Sequence, residues 1–118
     1  MEDKGGSIVN LSSGAAKYGS PGEYVDYAAS KAAIDTLTIG LAKEVAEEGV
    51  QVNAVRPGFI DTEIHQSGGE PDRMERVRPL VPMKRVGQAY EVADAIMWLL
   101  SDKASYTTGT ILDVSGGR

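Results

Sequence analysis

Cysteine is absent from this 118-residue chain, and histidine and tryptophan each occur only once. Without cysteine the chain can form neither a disulfide framework nor a thiolate metal site or nucleophile. No apolar run approaches the roughly 20 residues that a membrane-spanning helix needs. The acidic start, Met1-Glu2-Asp3-Lys4, also differs from a signal peptide, which is basic and then apolar. We therefore expect a cytoplasmic chain without a membrane partner.

Positive charge is also scarce. The chain carries 12 Lys and Arg against 17 Asp and Glu, for a net charge of −5, and it has no basic run that could follow a phosphate backbone. We therefore expect no nucleic-acid partner. Hydrophobic residues make up 42% of the sequence, which is enough for the core of one small domain. We see no internal repeat and no second domain.

Apolar runs and turn residues predict an alternation of strands and helices. Short apolar runs bounded by Gly, Pro or Ser predict three strands: Ser7–Leu11, Val50–Val55 and Thr110–Val114. Apolar residues at helical spacing predict two longer helices: about Glu23–Glu48 and Ala89–Leu100. The residues from Phe59 to about Gln88 predict a long loop with one short helix at Asp72–Arg78. Such an alternation is typical of a parallel sheet with helices on its faces.

Tyr27 and Lys31 are the residues with the clearest chemical potential. They lie four residues apart on the predicted long helix, and therefore on one face. A phenol is a poor base at neutral pH, but a nearby ammonium stabilises its deprotonated form and makes it a credible proton-transfer group. A serine after the first strand, Ser13, could orient the oxygen of an alcohol or carbonyl substrate.

This pair has a second interpretation, because a tyrosine and a lysine at this spacing arise often by chance on a solvated helix face. The choice of tyrosine is nevertheless not arbitrary. Among the five tyrosines, only Tyr27 has a lysine at the fourth following position.

Four stretches of the sequence resemble the short-chain dehydrogenases/reductases, in that family's order. They are Gly6 to Ser13, similar to the strand that ends in the catalytic serine; Tyr27-Ala28-Ala29-Ser30-Lys31, similar to the YxxxK motif; Asn53 to Gly58 with Thr62, similar to the sixth strand and cofactor loop; and Gly109 to Gly117, similar to the C-terminal strand and glycine pair. The resemblance covers essentially every residue and is nearest to sugar-dehydrogenase-like members and oxidoreductases of unassigned substrate. It implies an α/β fold: the last three strands of a doubly wound, Rossmann-type parallel sheet, with their flanking helices.

The resemblance also implies a function. Ser13 would contact the substrate oxygen, Tyr27 would transfer the proton, and Lys31 would stabilise the phenolate and bind the nicotinamide ribose. Ser12 competes for the serine role, but Ser13 is preferred because its distance from Tyr27 along the chain exceeds the family's usual spacing by one residue only. NAD or NADP would contact Tyr27, Lys31, Pro57, Gly58, Ile60 and Thr62. The protein would then be a homo-oligomeric oxidoreductase, a dimer or tetramer, that interconverts a small carbonyl compound and a secondary alcohol.

The sequence departs from the family in one large respect. The glycine-rich nucleotide fingerprint TGxxxGxG does not occur in these 118 residues, and Gly14, Gly19 and Gly22 are spaced too loosely to replace it. We therefore interpret residues 1–118 as the catalytic C-terminal half of one Rossmann domain, without the N-terminal dinucleotide-binding half. NAD and NADP are not distinguished. A cleaved or expressed fragment, a gene started at an internal Met and a true truncated product all fit.

Other interpretations stay open or are set aside. The chain could be a catalytically silent association module that uses the long helix and the last strand. A sugar-nucleotide epimerase or dehydratase also shares YxxxK, but the chain leaves little room for the substrate domain of that branch. We predict no metal site at Asp61, Glu63 and His65, because a lone loop histidine is more often solvated. Trp98 is interpreted as a core or subunit-interface residue.

Overall fold

The computed structural model describes residues 5–61 and 73–118. In chain order its elements are β1 (Ser7–Leu11), α1 (Gly14–Tyr18), α2 (Val25–Val45), β2 (Gln51–Pro57), β3 (Ile60–Asp61), α3 (Arg73–Val77), β4 (Gly87–Gln88), α4 (Ala89–Leu100) and β5 (Ile111–Val114). Short 3-10 turns follow α2, α3 and α4, at Ala46–Glu48, Arg78–Leu80 and Asp102–Ala104. The three predicted strands and both longer helices are present, with small shifts at their ends.

The main sheet has three parallel strands in the order β1-β2-β5. In β1, the pairing runs from Ser7 opposite Gln51 to Leu11 opposite Val55. On the other side of β2, it runs from Ala54 opposite Ile111 to Pro57 opposite Val114. This topology confirms the predicted parallel sheet with flanking helices.

The core lies around the central strand β2. Its residues 52 to 55 are all buried, although successive side chains of a strand point to opposite faces. Both faces of β2 are therefore covered, and α2 and α4 are the helices that pack against it. A hydrogen bond of 3.0 Å from Asn10 Nδ2 to Thr38 Oγ1 joins β1 to α2.

Three short elements were not predicted: β3, β4 and α1. The predicted long loop contains a short parallel ladder, in which Ile60 and Asp61 of β3 pair with Gly87 and Gln88 of β4. The segment between Ser13 and Gly19 contains the one-turn helix α1. Each is too short for a periodic pattern to reveal it. The predicted short helix at Asp72–Arg78 is present as α3, and Asp72 itself lies outside the described residues.

Several apolar side chains remain at the surface. Within the described chain, β1 pairs with β2 alone, and Ile8 and Leu11 of β1 are 43% and 51% exposed. Trp98 on α4 is 43% exposed, which favours the subunit-interface interpretation over the core one, and this role stays a prediction. No helix within residues 5–61 and 73–118 is long and apolar enough to cross a membrane.

Candidate active site

The carboxyl ends of the three parallel strands meet at one edge of the sheet, and a cleft of about 730 Å³ opens there. Ser13 follows β1, Gly58 follows β2 and Ser115 follows β5, and all three line this cleft. Tyr27, from the first turn of α2, also lines it. The fold therefore brings residues from distant parts of the sequence to one place.

Ser13 and Ser12 occupy different environments. Ser13 is the N-cap of α1, and its Oγ accepts a hydrogen bond of 3.1 Å from the Ala15 backbone N–H. An N-cap hydroxyl satisfies a free N–H of the first helical turn, which holds the serine in place. Ser12 is buried, and its Oγ lies 3.4 Å from the Lys31 carbonyl oxygen, to which it donates. Ser13 rather than Ser12 therefore lines the cleft.

Lys31 lies between the Tyr27 ring and the end of β1. Its Nζ is 5.7 Å from the centre of the ring and donates a hydrogen bond of 3.2 Å to the Leu11 carbonyl oxygen. The Tyr27 side chain is 46% exposed, and the Tyr24 ring packs edge-on against it at 6.3 Å. The structure therefore brings the Tyr27 ring and the Lys31 ammonium together at the carboxyl end of β1.

Gly58 allows the turn after β2 to lie close to the end of β5. A Cβ atom at Gly58 would lie 3.0 Å from the Cα of Ser115, which is closer than side chains normally approach. The Gly58 N–H donates to the Val114 carbonyl oxygen at 3.0 Å. The lack of a side chain thus lets the turn after β2 pack against the end of β5 at the cleft wall.

The other predicted cofactor residues are distributed unevenly. Ile60 lines a second, smaller cleft of about 480 Å³ that adjoins the first. Pro57 ends β2 and, like Lys31, lines neither of these two clefts. Thr62 lies outside the described residues. So do Glu63, His65 and the glycine-rich segment 68–71, so the expectation of no metal site there stays untested.

A charged cluster on the α2 side of the sheet was missed by the sequence analysis. Arg56 donates to both carboxylate oxygens of Asp113, at 2.6 and 3.0 Å, and to Asp35 Oδ2 at 3.3 Å. The hydrogen bond from Arg56 lowers the pKa of Asp113, and the same bond raises the pKa of Arg56. Asp35 Oδ1 is buried and has no hydrogen-bond partner among the described residues. The three side chains come from β2, β5 and α2, so no local pattern could have revealed them.

Two cations on the wall of the cleft were also missed. Lys17 of α1 donates from Nζ to the Arg118 carbonyl oxygen at 3.0 Å. The Arg118 guanidinium lies 4.7 Å from the ring centre of Tyr18 and 4.9 Å from that of Phe59. Lys17 and Arg118 line both clefts. They are 101 residues apart in the chain, so no local pattern could have revealed the pair.

A family model described as Enoyl-(Acyl carrier protein) reductase matches residues 1–118. The chain is 68% identical over 114 residues to the uncharacterized oxidoreductase YgfF of Escherichia coli K12. The alignment covers 97% of this chain and 46% of that protein. It is 43% identical over 117 residues to the 3-oxoacyl-[acyl-carrier-protein] reductase FabG of Thermotoga maritima, covering 99% of this chain and 47% of that protein.

A solved structure from Brucella melitensis, described as a short-chain dehydrogenase/reductase and glucose/ribitol dehydrogenase, superimposes with a TM-score of 0.83 at 38% identity. The match covers 94% of this chain and 44% of that one. The chain thus spans about half the length of the curated relatives that it matches.

Proposed function

Because the chain belongs to the short-chain dehydrogenase/reductase family, we propose that it is the catalytic part of an NAD- or NADP-dependent oxidoreductase. Its reaction interconverts a small carbonyl compound and a secondary alcohol. The observation that carries this proposal is the placement of Ser13 and Tyr27 in one cleft, with the Lys31 ammonium 5.7 Å from the Tyr27 ring. In this proposal residues 1–118 form the C-terminal half of one Rossmann domain.

The three side chains have separate tasks in the proposed reaction. During reduction, the Tyr27 hydroxyl gives its proton to the carbonyl oxygen of the substrate, and in the reverse direction the phenolate takes it back. The Lys31 ammonium stabilises the phenolate that remains. The Ser13 hydroxyl donates a hydrogen bond to the same substrate oxygen and so holds the carbonyl in the reactive orientation.

The nicotinamide cofactor supplies or accepts the hydride when it is bound. A cleft of about 730 Å³ is large enough for small-molecule ligands, and Gly58 presents backbone without a side chain at its wall. Tyr27 and Lys31 would hold the nicotinamide ribose, and Pro57, Gly58, Ile60 and Thr62 would contact the nicotinamide and phosphate groups. Both NAD and NADP remain candidates.

We further propose that the working protein is a homo-oligomer in the cytoplasm. The support is the apolar surface that α2 and α4 leave uncovered. Leu37 of α2 is 60% exposed and Met97 of α4 is 64% exposed, in addition to Trp98. Large exposed apolar groups commonly mark surfaces that another subunit covers.

Replacing Tyr27 tests the proposed chemistry. In the full-length gene product, Tyr27→Phe should reduce NAD(P)H-dependent carbonyl reduction by about 10²- to 10⁴-fold, because the proton donor is lost. Cofactor binding, followed by NADH and NADPH fluorescence, should persist. Tyr106→Phe is the matched control, since Tyr106 is fully exposed and lines neither cleft. Equal turnover by Tyr27→Phe and the unaltered protein would contradict the assignment.

A second candidate function is a silent association module. Two observations favour it: β1 is an edge strand of the described sheet, and the chain spans about half the length of the relatives that it matches. Titration of the 118-residue chain with NADH and NADPH, followed by an assay for carbonyl reduction, separates the two candidates. Reproducible turnover by that chain would dismiss the silent module, whereas a folded chain without cofactor binding would favour it.

A further inference from the structure

The cleft wall beside Ser13 and Tyr27 carries positive charge that the proposed proton transfer does not use. Lys17 lies one helical turn after Ser13, on α1, and Arg118 lies next to it. The hydrogen bond from Lys17 Nζ ends on the backbone carbonyl of Arg118, so it fixes the position of that residue without engaging its guanidinium. The backbone of Arg118 is therefore held in place, while its guanidinium takes no part in this hydrogen bond.

The contacts of the Arg118 guanidinium are aromatic. It lies 4.7 and 4.9 Å from the ring centres of Tyr18 and Phe59. Aromatic faces attract a guanidinium through its flat sides, and this contact leaves the N–H donors around its edge available. Within residues 5–61 and 73–118, no carboxylate forms an ion pair with this group. A partly buried cation thus lines the cleft, and its N–H donors are paired with no carboxylate of the described residues.

Asp113, an acidic residue that lines both clefts with Arg118, is already paired with another cation. Both of its oxygens accept hydrogen bonds from Arg56. Lys17 also acts on Asp113, because its charge helps to lower the pKa of that carboxyl. Among the described residues, the Arg118 guanidinium has no acidic partner, in a chain whose net charge is −5. An acidic protein repels anions in general, so a cation of this kind gives local attraction to an anionic ligand.

We propose that the substrate carries a carboxylate in addition to its carbonyl group, and that Arg118 binds this carboxylate while Ser13 and Tyr27 bind the carbonyl oxygen. The inference rests on the proposed oxidoreductase function and names its substrate class, the oxo acids. A planar carboxylate matches the paired N–H donors of a guanidinium, which makes strong, charge-assisted hydrogen bonds. Lys17 adds a second positive charge on the same wall. Arg118 is then a specificity-determining residue.

Matched acids and esters test the proposal in the full-length gene product. The probes are acetoacetate, 4-oxopentanoate and 5-oxohexanoate, each assayed beside its methyl ester with NADH and NADPH. The ester keeps the carbonyl and removes only the negative charge. We expect kcat/KM for the best acid to exceed that for its ester by about tenfold or more, since charged hydrogen bonds are worth this much.

Variants of Arg118 test whether this residue causes the preference for the acid over its ester. Arg118→Gln should lower kcat/KM for the acid by about tenfold, mainly through KM, and leave the ester unchanged. Arg118→Lys, which keeps the charge but not the paired donors, should lie between the two. Both variants keep the backbone carbonyl that Lys17 binds. Lys103→Gln is the matched control, because it removes the same charge at an exposed site outside both clefts and should change neither substrate.

The outcomes separate this inference from the proposed function. Turnover of esters and acids with equal kcat/KM, unchanged by Arg118→Gln, would overturn the substrate class and leave the oxidoreductase function standing. A rise in the KM for NADH or NADPH in Arg118→Gln, with the acid-to-ester ratio unchanged, would place Arg118 at the cofactor instead and would also overturn it. If no probe is turned over with NADH or NADPH, whether or not the cofactor binds, the result would count against both the oxo-acid substrate class and the proposed oxidoreductase function.

Discussion

At the scale of single residues, Arg56 connects the three elements that carry the site. It lies on β2 directly before Pro57, faces Asp113 of β5 in the parallel register, and reaches Asp35 on α2. Asp35 lies one turn after Lys31 on the same face of that helix. One guanidinium therefore holds the helix that carries Tyr27 against the strand ends that form the cleft.

Loss of Arg56 should destabilise the fold. Arg56→Met would leave two partly buried carboxylates without their partner, at a cost of roughly 1–3 kcal/mol in the free energy of unfolding. Urea denaturation of the full-length gene product measures this. Arg85→Met is the control, because it breaks the exposed pair with Glu91, and exposed pairs contribute little. Equal losses of unfolding free energy in the two variants would show that the Arg56 cluster stabilises the fold no more than an exposed ion pair does.

The same cluster predicts a pH dependence. Since Arg56 lowers the pKa of Asp113 in the folded state, this carboxyl stabilises the fold fully above its ordinary pKa of about 4. The stabilisation declines as the pH falls below that value toward the lowered pKa. Asp113→Asn should therefore flatten the acid side of the stability profile, measured by urea midpoints between about pH 2 and 6. An unchanged slope would mean that other carboxylates account for acid unfolding.

At the scale of elements, the site depends on close packing between the turn after β2 and the end of β5. Gly58 makes this approach possible, since an added Cβ would lie 3.0 Å from Ser115. The glycine at this position is therefore important because it is small, and not because it supplies a reactive group. A side chain there must push the two segments apart or distort the cleft wall.

Two glycine substitutions should have opposite effects. Gly58→Ala should destabilise by about 1–3 kcal/mol through overpacking and raise the KM for NAD(P)H. Gly40→Ala is its matched control, because Gly40 lies in α2 and an added Cβ there meets nothing within 4 Å. It should stabilise by up to about 1 kcal/mol, as alanine favours a helix. Thermal unfolding and cofactor titration of both variants check the pair; stabilisation by Gly58→Ala would refute the packing argument.

At the scale of the whole molecule, β1 is one of the two edge strands of the described three-stranded sheet. It pairs with β2 on one side, and its apolar side chains Ile8 and Leu11 are 43% and 51% exposed. Unpaired strand edges with apolar neighbours attract further strands. We therefore expect the 118-residue chain by itself to be marginally stable or to self-associate.

A charge beside β1 should reduce that association. In the 118-residue chain, Ile8→Lys places an ammonium next to the strand edge, and lysine at an edge opposes pairing with another chain. Sedimentation velocity should show less self-association than in the unaltered chain. Tyr106→Lys serves as the control, since it changes an exposed aromatic residue away from β1. If both variants associate equally, the contact does not involve β1.

The fold class and part of the candidate site followed from local patterns. The spacing of Tyr27 and Lys31 placed both on one helix face, and the helix is present over Val25–Val45. Ser13 was chosen over Ser12 from its position along the chain, and the structure gives a spatial difference between them: Ser13 lines the cleft, whereas Ser12 is buried against α2. Their catalytic roles, and that of Thr62, stay predictions.

The sequence by itself determined the periodic elements, the family and the motif that carries the proposed chemistry, because these depend on residues close together in the chain. Only the tertiary structure decided which distant side chains meet. Arg56 and Asp113 are 57 residues apart and Lys17 and Arg118 are 101 apart, so their contacts depend on parallel pairing and helix packing. Such contacts leave no periodic trace, since each partner alone resembles an ordinary surface charge. The charge pattern of the cleft, and with it the inferred oxo-acid substrate, therefore comes from the fold.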